Sequence, residues 1–103
     1  MSADSPSNGG PGKRTVRVRI TGRVQGVCFR AWTERTASAL GISGWVRNRR
    51  DGAVEAVFSG AAGQVEEMLG LCHVGPPGAL VEEVAAVEEI GAAPAGFAIL
   101  PTA

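Results

Sequence analysis

Residues 15–21 (Thr15-Val16-Arg17-Val18-Arg19-Ile20-Thr21) run straight into residues 22–30 (Gly22-Arg23-Val24-Gln25-Gly26-Val27-Cys28-Phe29-Arg30), and together they set the fold. The first stretch alternates. Val16, Val18 and Ile20 fall on one side and Arg17 and Arg19 on the other, the period of a half-buried strand. The second opens on a glycine-bounded loop, GRVQG. From Phe29 to Leu40 the spacing turns helical, with Phe29, Trp32, Thr36, Ala37 and Leu40 as the inner face. Gly41 stands where a helix C-terminal glycine belongs. A strand, a tight loop and a helix therefore open the domain.

Further on, residues 44–50 are short and β-prone, and Asp51-Gly52 is a hairpin-turn signal. Residues 53–59 give the return strand, with Val54, Ala56 and Phe58 on one face. Residues 64–73 read as a second amphipathic helix through Val65, Met68, Leu69 and Cys72, stopped by Gly75-Pro76-Pro77-Gly78. Residues 79–90 are ambiguous. Val81, Val84, Val87 and Ile90 recur every three positions, and pattern alone leans towards helix. Residues 97–100 form a short last strand. With a strand in the ambiguous slot the elements before that last strand run β-α-β-β-α-β, the ferredoxin-like α/β (α+β) sandwich. Two helices then cover one face of an antiparallel sheet, and the other face meets water, which suits Arg17 and Arg19.

At 103 residues there is chain for one core only. Residues 1–12 are mostly Ser, Gly, Pro and Asn, with one Asp, and read as a flexible tail, so the domain is expected over residues 13–103. That start has no basic, apolar secretory pattern, and no apolar run approaches the ~18 residues of a membrane span. Two cysteines are too few for a disulfide scaffold, and a reduced, cytoplasmic setting is the default expectation.

A formal net charge of zero hides a segregation. All ten Lys and Arg lie between Lys13 and Arg50, with Glu34 the one acid among them. From Asp51 onward there are eight acids and no Lys or Arg. Two readings stand open: an anionic partner for the basic half, or mutual neutralisation of the halves within one fold.

A strand-to-helix loop rich in glycine points backbone N–H groups outward at the positive end of a helix dipole. Arg30, in the first helical turn, adds a guanidinium whose fork fits two phosphate oxygens. The same loop also satisfies a purely geometric need for glycine. No Walker loop and no dinucleotide fingerprint is present. A cysteine phosphatase needs Arg six residues after its Cys, but Glu34 stands there after Cys28. Cys28 reads better as a small packing residue than as a nucleophile. The Glu pairs 66–67, 82–83 and 88–89 have no Cys/His cluster beside them, so they read as solvated faces and no metal site is expected. His73, the single histidine, reads as a helix end, Arg47, Arg49 and Arg50 as exposed, and Trp32 and Trp45 as packing residues.

The run Gly22 to Arg30, followed by Gly44-Trp45-Val46-Arg47-Asn48 and Asp51-Gly52-Ala53-Val54-Glu55, resembles the acylphosphatase family. Gly75-Pro76 and Phe97-Ala98-Ile99 add to the likeness, which runs from about residue 15 to residue 100. The resemblance implies the ferredoxin-like fold, a strand over residues 79–90, and hydrolysis of acyl phosphates such as acetyl phosphate, carbamoyl phosphate or 1,3-bisphosphoglycerate. It implies Arg30 and Asn48 as the catalytic pair. It also implies phosphate binding by the loop amides of Val24, Gln25, Gly26, Val27, Cys28 and Phe29, with no metal or cofactor. The implied partners are the acyl phosphate and inorganic phosphate, with no nucleic acid and no membrane, for a protein expected to be a monomer. One departure stands out. Family members often end in Arg and an aromatic residue, with a C-terminal carboxylate near the phosphate-binding Arg. Here Leu100-Pro101-Thr102-Ala103 follows instead, which puts that pairing in question.

The chemistry suits such a pair. The leaving carboxylate has a conjugate acid of pKa roughly 4 and departs without a general acid. Phosphoryl transfer then needs positioning and charge stabilisation, which one Arg and several N–H groups supply. An amide such as Asn48 cannot act as a base near neutral pH, but it can accept from and donate to a water and so orient it. Without the resemblance, Asn48 is read as a strand-end residue satisfying backbone groups and Arg30 as a surface side chain. The rival is a non-catalytic ferredoxin-like module binding nucleic acid through the basic half. Such modules stack bases on sheet-face aromatics, whereas the first strand here presents Arg17 and Arg19.

Overall fold

The computed structural model describes residues 12–103. The tail expected over residues 1–12 lies, apart from Gly12, outside them. The elements run β1 (Lys13–Arg23), α1 (Phe29–Ala39), β2 (Ser43–Asn48), β3 (Val54–Ala61), α2 (Ala62–Cys72), β4 (Leu80–Glu88) and β5 (Phe97–Ile99). The sheet order is β4-β1-β3-β2-β5. β1 and β2 are joined by the α1 crossover and leave room between them for β3, which pairs antiparallel with both. β4 pairs antiparallel with the other edge of β1. This is the ferredoxin-like arrangement. The antiparallel expectation holds for four strands only, because β5 runs parallel to β2 and makes the sheet mixed.

Alternation along the strands sorts the side chains. Val16, Val18 and Ile20 of β1, Val46 of β2 and Val54, Ala56 and Phe58 of β3 are buried on the helix side. Phe29 and Ala37 of α1 meet them, with Val65, Met68 and Cys72 of α2. Thr33, and not Thr36, completes the buried stripe of α1; its hydroxyl donates to the Phe29 carbonyl at 2.8 Å and so needs no outside partner. Burial raises the Cys72 thiol to about 12, which leaves it an inert packing group.

Residues 79–90 correct the helical lean. Val84 lies opposite Ile20 and Val87 opposite Arg17, on opposite faces of β4, so the three-residue recurrence marks no single face. β4 is an edge strand in which only Val81 and Val84 are half-buried. Its stability comes from the ladder to β1 more than from a hydrophobic face, so periodicity had little to report.

The second sheet face carries charges. Arg17 and Arg47 each donate to Glu55, at 2.9 and 2.8 Å, and Arg49 approaches it at 3.4 Å. Arg17 also reaches Glu89 and Arg19 reaches Asp51, while on the helix side Arg14 bridges Glu66 of α2 and Glu88 of β4. The Arg17 and Arg47 guanidiniums lie 5.6 and 4.8 Å from the Trp45 ring centre. Mutual neutralisation therefore accounts for much of the charge segregation. It also corrects the exposed readings of Arg47 and Arg49, which are half-buried beside Glu55, and the solvated reading of Glu89, which is half-buried against Arg17; Glu66 and Glu88 stay exposed as expected and share Arg14, and Trp45 packs beneath two arginines.

Candidate active site

The loop between β1 and α1, the end of β2 and the end of β5 meet at one end of the sheet. They enclose an open cleft of about 470 Å³ lined by Val24, Gln25, Gly26, Cys28, Phe29, Arg30, Ala31, Asn48 and Ile99. Arg30 reaches it from the first turn of α1. Asn48 reaches it because Trp45 and Arg47 occupy the open face, which turns Val46 and Asn48 to the helix side. Among the described residues neither side chain makes an ion pair or a hydrogen bond within the protein.

The loop backbone is shaped for an anion. Gly26 and Cys28 both take left-handed conformations, at φ 77° and 63°, which turns successive amides the same way. Among the described residues, none of the N–H groups of residues 25–28 donates to a backbone carbonyl. Cys28 occupies the N-cap of α1 without a side-chain cap, and the first turn carries no acid. The free amides of that turn and the positive end of the dipole are left unmasked.

Sequence reading named eight residues here, and the fold brings seven of them to the cleft. Val27 is the exception: its side chain is half-buried and faces Gly78 in the loop after α2. Cys28 corrects the packing reading, since it is exposed at the cleft. Val24 serves twice, because its side chain is also buried in the core. Ala31 and Ile99 were missed, being small or apolar residues with no chemical signature.

A second feature was missed altogether. The Gln25 side chain donates through Nε2 to the carbonyls of Arg49 at 2.7 Å and Ala53 at 2.9 Å. These residues bracket the turn that follows Asn48, and that turn is closed by the Arg49 amide on the Ala53 carbonyl at 2.8 Å. Asp51 tightens it by accepting from the Ala53 amide; that bond and the Arg19 guanidinium hold its carboxyl below the ordinary carboxylate value. On the other side Ala103 donates to the Asn48 carbonyl and accepts from the Arg50 amide, each at 3.0 Å. The C-terminal segment is thus tied to the backbone around Asn48, and Arg30 makes no ion pair with it.

His73 sits at the end of α2 with Nδ1 2.9 Å from the Leu69 carbonyl, a helix-end role, and does not line the cleft. Among the described residues no three His, Cys, Asp or Glu side chains gather as metal ligands. No helix there is long and apolar enough to cross a membrane.

Comparison with known proteins gives the family and the fold. Residues 16–99 match the family model for acylphosphatase. The acylphosphatase of Rhizobium meliloti is 56% identical over 88 residues, covering 84% of this chain and 93% of its own. That of Bradyrhizobium diazoefficiens is 50% identical over 93 residues, covering 84% and 94%. Among solved structures, an acylphosphatase from Coxiella burnetii superposes with a TM-score of 0.83 at 31% identity over 85% of this chain and 93% of that one. One from Bacillus subtilis gives 0.80 at 30% identity over 84% and 97%. With the family model spanning most of the chain and relatives above half identity, the chain belongs to the acylphosphatase family.

Proposed function

We propose that this chain hydrolyses the carboxyl–phosphate anhydride of acyl phosphates, with Arg30 and Asn48 as its catalytic residues. One observation carries the assignment of roles. Arg30 and Asn48 come from different elements, line one cleft with the glycine loop, and have side chains with no partner among the described residues. The phosphoryl oxygens rest against the Arg30 guanidinium and the amides of Val24, Gln25, Gly26, Val27, Cys28 and Phe29. Asn48 holds a water in line with the bond to be broken. The water oxygen attacks phosphorus, the P–O bond to the acyl group breaks, and the carboxylate leaves with the bonding pair. The water's proton passes to a phosphate oxygen. Charge is stabilised by fixed donors, so the reaction calls for no metal and no cofactor.

The substrate class comprises small acyl phosphates, among them acetyl phosphate, carbamoyl phosphate and 1,3-bisphosphoglycerate. The cleft is complete within one chain, which supports a monomeric enzyme. A cytoplasmic setting suits its two free thiols, Cys28 and Cys72. Recognition of nucleic acid is disfavoured, because Arg17, Arg19, Arg47 and Arg49 on and beside the open face are engaged by Glu55, Glu89 and Asp51.

The test is hydrolysis of benzoyl phosphate by the purified protein in excess EDTA, with Asn48→Ala alongside. The wild type should turn over undiminished by chelator. Asn48→Ala should lose about 10²–10³ in kcat while inhibition by inorganic phosphate shifts only a few-fold, because a water-orienting group acts mainly in the transition state. Wild-type kcat in a folded Asn48→Ala protein removes the assigned role.

A further inference from the structure

The proposed reaction needs two pieces of the fold in fixed relation. The phosphate is held by the β1–α1 loop and Arg30, and the water by Asn48 at the end of β2. These lie on separate chain segments, and the order of strands alone leaves the loop free to ride towards or away from the turn. A near-attack geometry tolerates little of that: a misplacement of roughly 1 Å costs on the order of 10²-fold in rate.

We infer that the Gln25 side chain is the positioning residue that locks the phosphate loop to the turn behind Asn48. The inference rests on the assignment of Asn48 above. Gln25 belongs to the loop and lines the cleft. Both hydrogens of its carboxamide Nε2 are spent on the carbonyls of Arg49 and Ala53. Arg49 is the residue directly after Asn48, and its carbonyl also accepts from the Gly52 amide at 3.1 Å. The Ala53 carbonyl accepts from the Arg49 amide as well. A single side chain thus bridges both ends of the turn and ties them to the loop. A neutral amide is the side chain for this task. A carboxylate of equal size offers two acceptors to two acceptors, and an apolar residue leaves both carbonyls without that donor.

The experiment compares Gln25→Met and Gln25→Glu with the wild type and Asn48→Ala, on benzoyl phosphate at a temperature well below each protein's unfolding transition. Gln25→Met is expected to lower kcat at least 10-fold while the inhibition constant for inorganic phosphate stays within about 3-fold, because the phosphate side of the site remains intact. In the Asn48→Ala background the same substitution should cost less than about 2-fold, since there is no oriented water left to misplace. Gln25→Glu should be poorer than Gln25→Met at neutral pH and should gain on the wild type as pH falls through the carboxylate range, where a protonated carboxyl again donates one bond. A residue with only a structural role lowers the unfolding temperature but moves neither the split between kcat and phosphate affinity nor the pH profile. Unchanged kcat in folded Gln25→Met, or full additivity with Asn48→Ala, overturns the inference. If Gln25→Met does not fold, the pH-dependent recovery of Gln25→Glu decides, and a flat ratio to wild type overturns it. Wild-type activity in Asn48→Ala defeats the underlying assignment first, an outcome read from that variant alone.

Discussion

On the open face of the sheet Arg17, Arg47 and Arg49 converge on Glu55, whose side chain is only 15% exposed. At the end of the same sheet Arg30 and Asn48 face a cleft with no partner among the described residues. The same residue types are used in opposite ways. Burial by itself raises the Glu55 carboxyl, but hydrogen bonds from Arg47 and Arg17 and the nearby charges of Arg47 and Arg49 outweigh it and hold it below the ordinary value. That cluster meets its electrostatic needs at folding. The cleft leaves them to be met by a ligand, which is what a preorganised anion site requires.

The largest effect should come from removing the unpartnered cation. Arg30→Ala is expected to lose at least about 10³ in kcat/KM, the scale seen when an arginine leaves a phosphoryl-transfer site, and to lose inhibition by inorganic phosphate. Its urea midpoint should stay close to the wild type, because no ion pair is broken. A large loss of stability with retained turnover would reverse the comparison.

Glu55→Gln should do the opposite. Arg47 and Arg49 then lose their counter-charge and Arg17 keeps only Glu89, and the expected cost is about 1–3 kcal/mol in urea unfolding with kcat nearly unchanged at 25 °C. The sign with pH follows from the depressed carboxyl. Its contribution is fully present above the unfolded-state pKa of about 4.3 and is lost as pH falls through the lower folded value. The stability gap between wild type and Glu55→Gln should therefore close in acid, and a gap that persists or widens there rules out the ion pairs as its source.

The smallest effect belongs to the exposed pair of Arg19 and Asp51, both side chains about half exposed. Arg19→Ala should cost roughly 0.2–1 kcal/mol and less in high salt. A larger, salt-insensitive loss would mean that this part of the open face is built like the Glu55 cluster.

Much of this was legible in advance, for identifiable reasons. Val16, Val18 and Ile20 alternate because β1 is paired on both edges and buries them on its helix side. Phe29 and Ala37, like Val65, Met68 and Cys72, keep helical spacing because each helix buries a single stripe. β4 was misread because an edge strand buries too little to impose a period, and β5, three residues long, gave no hint that it would lie parallel to β2. In the cleft, Arg30 was legible as an anion-binding candidate from the glycine loop beside it, whereas Asn48 entered only through the family resemblance of the motifs around it. Gln25 entered the sequence reading only as a loop amide, since a side chain bonded to two distant carbonyls leaves no mark in spacing or composition.

The place of β1 in the sheet also bears on how the chain reaches this structure. Its inner edge pairs with β3 and its outer edge with β4, so that Val16 lies opposite both Phe58 and Glu88. During synthesis the first strand is exposed long before its last partner has been made. A nascent chain that stops short of Leu80 presents one whole edge of β1 to whatever is nearby. Contacts so far apart in sequence also carry a loop-closure cost that slows folding. In such a chain Arg19 and Arg17 already have Asp51 and Glu55, while the second acid of Arg17, Glu89, arrives only with the segment after β4, and the excess positive charge along β1 disfavours pairing with another copy in the meantime.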